Sequence, residues 1–391
     1  MSSWSPGIGH RDSRRGRKQR WGLGVEYTSE DAEGSHVALE ITVQRSTQRK
    51  ARPSEEELGF GKFFTDHMFR IDYDPAQGGW HAARIVPYAP IPLDPATSAL
   101  HYGQLFFEGV KGFAAPDGGV RLFRPDAFAR RLNASARRLC MPELDPALLV
   151  EAIRRLVDVD RDWVPRAPGT SVYVRPFMLA TEAFLGVRPS RTYSLLVILS
   201  PVGAYFSRGG GLRIRVETES VRAVRGGLGA AKAAANYVAS LLAAEQAKAE
   251  GYDQVLWLDG VEQHWADEIG TMNFFARVGD RVITPPLDGT ILAGVTRDSA
   301  LRILRDAGTP VEERRLSIEE LERAHTEGTL SELFGTGTAA VVSPIAELVV
   351  GGRTLVPREG APGPLARRLR EEITAIQVGQ SPDRYDWMVQ V

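Results

Sequence analysis

The chain is most constrained by residues 226–240, GGLGAAKAAANYVAS. A single lysine, Lys232, stands between a glycine-rich run and a run of alanines, and Asn236 and Tyr237 follow it. A lysine in such a loop is ordinarily a solvated surface group, because functional lysines are activated by special surroundings. If Lys232 does chemistry, the fold must supply those surroundings, and the rest of the sequence has to show where they come from.

The lysine census narrows the field. Basic charge is carried mostly by arginine, and the lysines are Lys18, Lys50, Lys62, Lys111, Lys232 and Lys248. Lys18 and Lys50 lie in a polar N-terminal region, and Lys248 lies on the solvated face of EQAKAEG, which leaves Lys62, Lys111 and Lys232. The 391 residues are 43% hydrophobic and 25% charged, a globular composition with room for two or three domains. A net charge of -1 implies neither a nucleic-acid nor a membrane partner. The longest apolar stretch, SLLVILSPVGAYF (194–206), is broken by Pro201 and is too short to span a bilayer. One cysteine, Cys140, excludes an internal disulfide and a thiolate metal cluster. The seven histidines form no HExxH-type pair, so no metal is expected. The first thirty residues show no apolar signal core, and a cytoplasmic enzyme or binding protein is expected.

In chain order, residues 1–36 are rich in Ser, Gly and Arg without periodicity and read as a disordered tail. A mixed α/β domain follows over 37–203. DHMFRIDYD (66–74) and GWHAARIVPY (79–88) predict a strand pair, as do 108–115 and 119–125. Asp126 is expected to cap a helix through Arg138, and Asp145-Pro146 to open another with Leu149, Ile153, Leu156 and Val157 on one face. Strands are predicted at 171–179 and 192–202. Glycine-rich residues 204–211 read as an interdomain loop, and 212–391 as a second domain. Within it, a strand over 212–218, one helix over 234–250, a strand over 254–260, a hairpin about Gly279-Asp280, a helix over 294–308 and a Ser317/Glu320 capping box are expected.

Several segments could surround a lysine-bound pyridoxal phosphate. That cofactor needs an amine, anion donors for its phosphate, a carboxylate at its ring nitrogen and a partner for its phenolic oxygen. Gly294 opens a helix whose Val295 and Thr296 amides could meet a phosphate, though every helix has such an end. Glu268 in DEIGTMNFF (267–275) stands before a glycine turn and is a candidate for the ring nitrogen, or else a solvated turn carboxylate. FGTGTAAVV (334–342) could present amides and hydroxyls to an anion, or be a plain strand entry. Arg131 is one of several helix arginines, most of which are ordinarily solvated.

Together and in this order, these segments resemble the branched-chain amino-acid aminotransferases of the fold-type IV pyridoxal-phosphate family. The resemblance runs from about residue 55 to the C-terminus. It rests on FGKFFTDHMF (60–69), LDPATSALHYGQLFFEGVKGF (93–113), YVRPFML (173–179), GLGAAKAAANY (227–237), QVLWLDG (254–260), DEIGTMNFF (267–275), TPPLDGTILAGVTR (284–297) and FGTGTAA (334–340). It implies a two-domain fold: a smaller N-terminal α/β domain, and a larger C-terminal domain with a β-barrel-like sheet and the cofactor at the interface.

The resemblance also implies roles. Lys232 would be the Schiff-base lysine and the acid/base, Tyr237 the phenolic-oxygen partner and Glu268 the ring-nitrogen partner. Arg131, the amides of Val295 and Thr296, and Thr336 would hold the phosphate. Thr338 and Ala339 would offer turn amides to the substrate α-carboxylate. Phe60, Tyr102, Phe107, Tyr173 and Thr271 would line the side-chain pocket, with Tyr102 and Arg175 accepting the second carboxylate of glutamate. The implied reaction moves the amino group of L-leucine, L-isoleucine or L-valine to 2-oxoglutarate by a ping-pong cycle in a homodimer. On the same fold, a D-amino-acid aminotransferase or aminodeoxychorismate lyase is the alternative; a non-catalytic binding protein is a third reading. Ala235 stands where a glycine is expected, and Ala340 and Ser343 occupy the positions of a Cys-x-x-Cys found in some mammalian relatives.

Overall fold

A computed structural model describes residues 39–203 and 210–391. The tail over 1–36 and most of the loop over 204–211 lie outside the described residues.

Two nine-stranded sheets organise the chain. At the centre of the first, Tyr193–Val202 (YSLLVILSPV) is buried along almost its whole length, as a strand covered on both faces must be. It pairs antiparallel with His67–Asp74 on one side and Ser171–Ala180 on the other. His67–Asp74 turns back antiparallel into Gly79–Pro87 as the alternation predicts, through a short Pro75–Gln77 turn with Gly78 at φ 80°. Val110–Ala114 and Val120–Phe123 extend the sheet beyond Ser171–Ala180. The helices Pro125–Arg138 and Pro146–Val159 contribute Phe128, Leu132, Leu149, Ile153 and Leu156 to one core with Phe69, Ile71, Val172 and Leu196. The Asp145 side chain caps its helix by accepting from the Ala147 N–H. Asp126 does not cap: Arg124, at φ 49°, takes that position, and Asp126 lies within the first turn, paired with Arg130 at 2.6 Å.

The second sheet closes on itself. Ala266–Ile269, Gln254–Leu258, Leu212–Val216, Val341–Val350, Leu330–Gly337 and Met272–Val278 form a ring of six strands, completed by the pairing of Ala266–Ile269 with Met272–Val278. Closure removes the free edges an open sheet would expose. Leu256, Phe274, Leu333 and Leu348 share one core. A separate core holds Phe275, Phe334 and Val342 with Leu301 and Leu304 of the helix Val295–Asp306 and Leu369 and Ile373 of Pro364–Gln377. The two sets alternate along the strands, so one face of the ring looks inward and the other receives the helices.

Two local departures have identifiable causes. The helix expected over 234–250 is two helices, Ala234–Ala239 and Leu241–Ala249. At their junction the Ser240 hydroxyl donates to the Tyr237 carbonyl at 2.8 Å, competing with the helix ladder. The capping box at Ser317 is half made: the Glu320 N–H donates to the Ser317 hydroxyl, while the Glu320 carboxylate is held by Arg314. The last strand, Met388–Gln390, returns to the first sheet and pairs with Val120–Phe123.

Candidate active site

Strand register assembles the polar centre. Glu268 faces Asn273 across one strand pair, and Asn273 faces Thr336 across the next. Directly opposed residues share a sheet face, so the three side chains form a row. All three are buried. Asn273 Nδ2 donates to Glu268 Oε1 at 2.8 Å, and Arg222 Nη2 lies 2.9 Å from Glu268 Oε2. Burial pushes the Glu268 carboxyl up, against the pull of Arg222. Thr336 Oγ1 is buried with no hydrogen-bond partner among the described residues.

The lysine loop lies against this row. Asn236 Nδ2 donates to the carbonyls of Leu228 and Ala231, both at 2.9 Å, and so pins the glycine run. Arg138 grips the same run through the carbonyl of Gly226 at 2.9 Å. A Cβ at Gly229 would stand 2.2 Å from the Thr290 carbonyl oxygen, so only glycine fits that approach. The Lys232 backbone is fixed on both sides: its N–H donates to Ser135 Oγ at 3.0 Å, and its carbonyl accepts from Phe107 N at 3.2 Å. Lys232 Nζ donates to the Tyr237 hydroxyl at 2.8 Å. Burial lowers the Lys232 ammonium below its ordinary value, helped by Arg131 and Arg175 and opposed by Glu108. Burial raises the Tyr237 phenol, with Glu268 adding to the effect. Ala235 lies in the first turn of its helix with its methyl exposed, so alanine adds helix propensity there without crowding the loop.

An aromatic wall extends from the lysine. The Phe107 and Tyr237 ring centroids are 4.6 Å apart, and Arg175 lies over Phe107 at 4.5 Å. Arg175 Nη2 donates to the Tyr173 hydroxyl at 3.2 Å, and Phe60 meets Tyr173 edge-on at 4.9 Å. Thr271, in the turn after Glu268, lines a cleft with Arg222, Tyr237 and Glu268. Tyr102 stands apart: it is 46% exposed, and its hydroxyl donates to the Leu185 carbonyl rather than toward Arg175.

Two further ends converge here. Gly294 precedes the helix Val295–Asp306 without a side-chain cap, so the first helical amides are not satisfied by a capping group. A Cβ at Gly294 would fall 1.9 Å from Asn273 Oδ1, which ties this helix start to the polar row. Arg131 reaches the same end, donating through Nη1 to the Ala293 carbonyl at 2.9 Å. Its Nε and Nη2 form a two-point pair with Glu108, both at 2.8 Å. A guanidinium has five N–H donors, so two remain. Thr338 and Ala339 lie in the short turn joining Leu330–Gly337 to Val341–Val350.

Glu108 and Arg222 escaped the sequence reading. Each is an ordinary charged residue in its own segment, and only tertiary pairing gives it a partner at the centre. A buried Glu at the end of LFFE, between apolar neighbours, was the one signal available for Glu108.

The residues fit pyridoxal phosphate on structural grounds. An orphaned buried hydroxyl, an uncapped helix start and a spare-handed arginine form an anion cradle. A buried carboxylate and a burial-depressed lysine beside a tyrosine hydroxyl could supply the other three contacts. Among the described residues, no group of His, Cys, Asp and Glu could hold a metal ion.

A lysine and tyrosine on a pinned loop, beside a six-strand ring and an uncapped helix, define a pyridoxal-phosphate-type site. The amino-transferase class IV family matches residues 105–348, and the chain belongs to that family. It is 49% identical over 353 residues to branched-chain-amino-acid transaminase 1 of Bacillus subtilis (strain 168), covering 90% of this chain and 99% of that one. It is 46% identical over 365 residues to the branched-chain-amino-acid aminotransferase of Mycobacterium tuberculosis (strain CDC 1551 / Oshkosh), covering 90% and 99%. The solved Escherichia coli branched-chain amino acid aminotransferase superposes with TM-score 0.69 at 26% identity, covering 83% of this chain and 98% of that one. A T.th. branched-chain amino acid aminotransferase complexed with N-(5'-phosphopyridoxyl)-L-glutamate superposes with TM-score 0.68 at 28% identity, covering 85% and 98%. The chain is thus of fold type IV, as the resemblance implied.

Proposed function

We propose that this chain is a pyridoxal-5'-phosphate-dependent branched-chain-amino-acid transaminase. It moves the amino group of L-leucine, L-isoleucine or L-valine to 2-oxoglutarate, giving the branched 2-oxo acid and L-glutamate. The observation that carries this is Lys232 Nζ held 2.8 Å from the Tyr237 hydroxyl in surroundings that favour the neutral amine. The relatives at 46–49% identity support the substrate class.

When bound, pyridoxal phosphate supplies an electron sink for the pair left when the substrate Cα–H bond breaks. Lys232, as the neutral amine, would take the substrate Cα proton and then give it back, serving as base and acid in turn. Tyr237 would hold the phenolic oxygen through its hydroxyl. Glu268, its carboxylate fixed by Arg222 and Asn273, would partner the ring nitrogen. The Val295 and Thr296 amides, the Thr336 hydroxyl and the two free N–H groups of Arg131 would hold the phosphate. Phe60, Phe107, Tyr173 and Thr271 form the side-chain wall, whose apolar burial is worth about 1.5–3 kcal/mol for a branched side chain. Arg175, at the edge of that wall, receives the second carboxylate of glutamate. Thr338 and Ala339 receive the α-carboxylate.

We place the cofactor between an N-terminal domain over 37–203 and a C-terminal domain over 212–391. Leu100, Tyr102, Phe184, Leu185 and Val187 are exposed together around the Tyr102–Leu185 contact, an apolar patch that suits a homodimer interface. In such a dimer Tyr102 would serve the pocket of the partner subunit. No described helix is long and apolar enough to cross a membrane, and one free cysteine, Cys140, suits a reducing cytoplasm.

A steady-state panel of leucine, isoleucine, valine, D-alanine and aminodeoxychorismate tests the reading. Turnover of the first three with 2-oxoglutarate, abolished in Lys232→Ala together with the visible absorbance of the lysine-bound cofactor, is expected. Activity with D-alanine or aminodeoxychorismate alone would overturn the substrate class.

A further inference from the structure

Arg124 has no place in the chemistry above, yet it is 6% exposed and its backbone stands at φ 49°, ψ 43°. A non-glycine residue in that left-handed region is strained, and the structure around it must hold it there. Here the backbone N–H donates to the Trp387 carbonyl at 2.6 Å, and the guanidinium lies over the Trp387 ring at 5.1 Å. Arg124 precedes the helix Pro125–Arg138, but its side chain does not cap it. The side chain reaches instead to the start of the helix Val295–Asp306. Nη1 donates to Ser299 Oγ at 2.7 Å and to the Val295 carbonyl at 3.3 Å, and Nη2 donates to Asp298 Oδ2 at 2.6 Å.

The Val295 carbonyl and the Thr296 N–H belong to one planar peptide unit. A donor on that carbonyl fixes the direction of the N–H and polarises it into a stronger donor. The Ser299 hydroxyl, itself held by Arg124, donates to the same carbonyl at 3.0 Å. Charge points the same way. A buried cation beside a helix N-terminus opposes the macrodipole, and an anion bound at that end offsets both. Asp298, in the first turn, supplies part of this compensation but is half-exposed.

We infer that Arg124 is a positioning residue of the phosphate cradle, aiming and polarising the Thr296 N–H through the Val295 carbonyl. The inference rests on the proposed reading of that helix start as the phosphate end of the cofactor site. Arg124 acts through the peptide unit and needs no contact of its own with the phosphate.

The test is reconstitution of the full-length protein, freed of cofactor by dialysis, with pyridoxal phosphate and with pyridoxal, which lacks only the phosphate. Binding is followed through the visible absorbance of the lysine-bound cofactor. Arg124→Met is expected to weaken pyridoxal phosphate about tenfold and pyridoxal less than twofold. Arg124→Lys keeps a cation beside Asp298, but its single nitrogen replaces a fork, so a smaller loss of about threefold, again confined to pyridoxal phosphate, is expected. Equal weakening of both ligands by either variant, or no change in either ligand, would overturn the assignment, because a merely structural role does not tell the two apart. Thr296→Pro removes the N–H itself at a first-turn position where proline is tolerated. If that variant keeps the wild-type preference for pyridoxal phosphate, the reading of the helix start fails and the inference with it. If it loses the preference while both Arg124 variants keep it, only the role of Arg124 fails.

Discussion

At the residue scale, the site depends on charges whose partners come from distant segments. Arg222 and Glu268 are both buried and share a 2.9 Å contact. Arg222→Met leaves that carboxylate unpaired, and a loss of ~3–5 kcal/mol is expected, measured by urea unfolding. Asp267, next along the strand, is buried, and its carboxyl is pushed up to about 7 by burial, with Glu268 and Asp288 adding to the rise. In the unfolded chain that carboxyl ionises near 3.8, so between these values the native state holds a proton the unfolded state has lost. The contribution of Asp267 is therefore fully present below the unfolded value and is lost as pH rises toward neutrality. Urea midpoints for Asp267→Asn, taken at about pH 5, 6 and 7.5, are expected to show a flatter decline than wild type. None of this pairing is legible at single positions. Lys232, Tyr237 and Glu268 stand out because motif and order single them out, whereas Arg222 and Glu108 look like any charged residue until the fold gives them partners.

At the scale of elements, short-range signals did well where they concern backbone chemistry. The Asp145-Pro146 start, the hairpin about Gly279-Asp280 and the helix opening at Gly294 all form where turn and cap residues place them. They failed where a side chain competes with the ladder: Ser240 splits one expected helix into two, and Arg314 draws Glu320 out of its capping box. The junction of helix and ring is testable. In Gly294→Ala the new Cβ falls 1.9 Å from Asn273 Oδ1, so either Asn273 leaves Glu268 or the helix start shifts. A destabilisation of about 1–3 kcal/mol is expected, together with faster loss of pyridoxal phosphate on dialysis. Unchanged cofactor retention would mean that the helix start lies away from the phosphate.

At the scale of the whole molecule, the last strand returns to the first sheet. Met388–Gln390 adds a strand to the first sheet, and the carbonyls of Gln390 and Val391 accept from Arg154 and Arg161, each at 2.9 Å. Deleting residues 388–391 removes this strand pairing and both bonds, and the thermal midpoint is expected to fall while the lysine loop keeps its geometry. The exposed patch around Leu185 makes an independent prediction at this scale. Leu185→Glu places a charge in the proposed interface and is expected to yield a monomer by light scattering, with transaminase activity lost because Tyr102 no longer reaches a partner.

The sequence alone singled out Lys232, the tyrosine five residues beyond it, the order of strands and turns around them, and the family to which they belong. Those features are written in local spacing, glycine placement and residue type, which a linear reading can weigh. Only the tertiary structure decided that the six-strand ring closes and that Glu268, Asn273 and Thr336 form one row. Only it paired Glu108 with Arg131, and set Lys111 against the turn 228 residues away. Such facts depend on strand register and on long-range pairing in a buried, low-dielectric interior. There a carboxylate or an ammonium acquires its role from the group it faces.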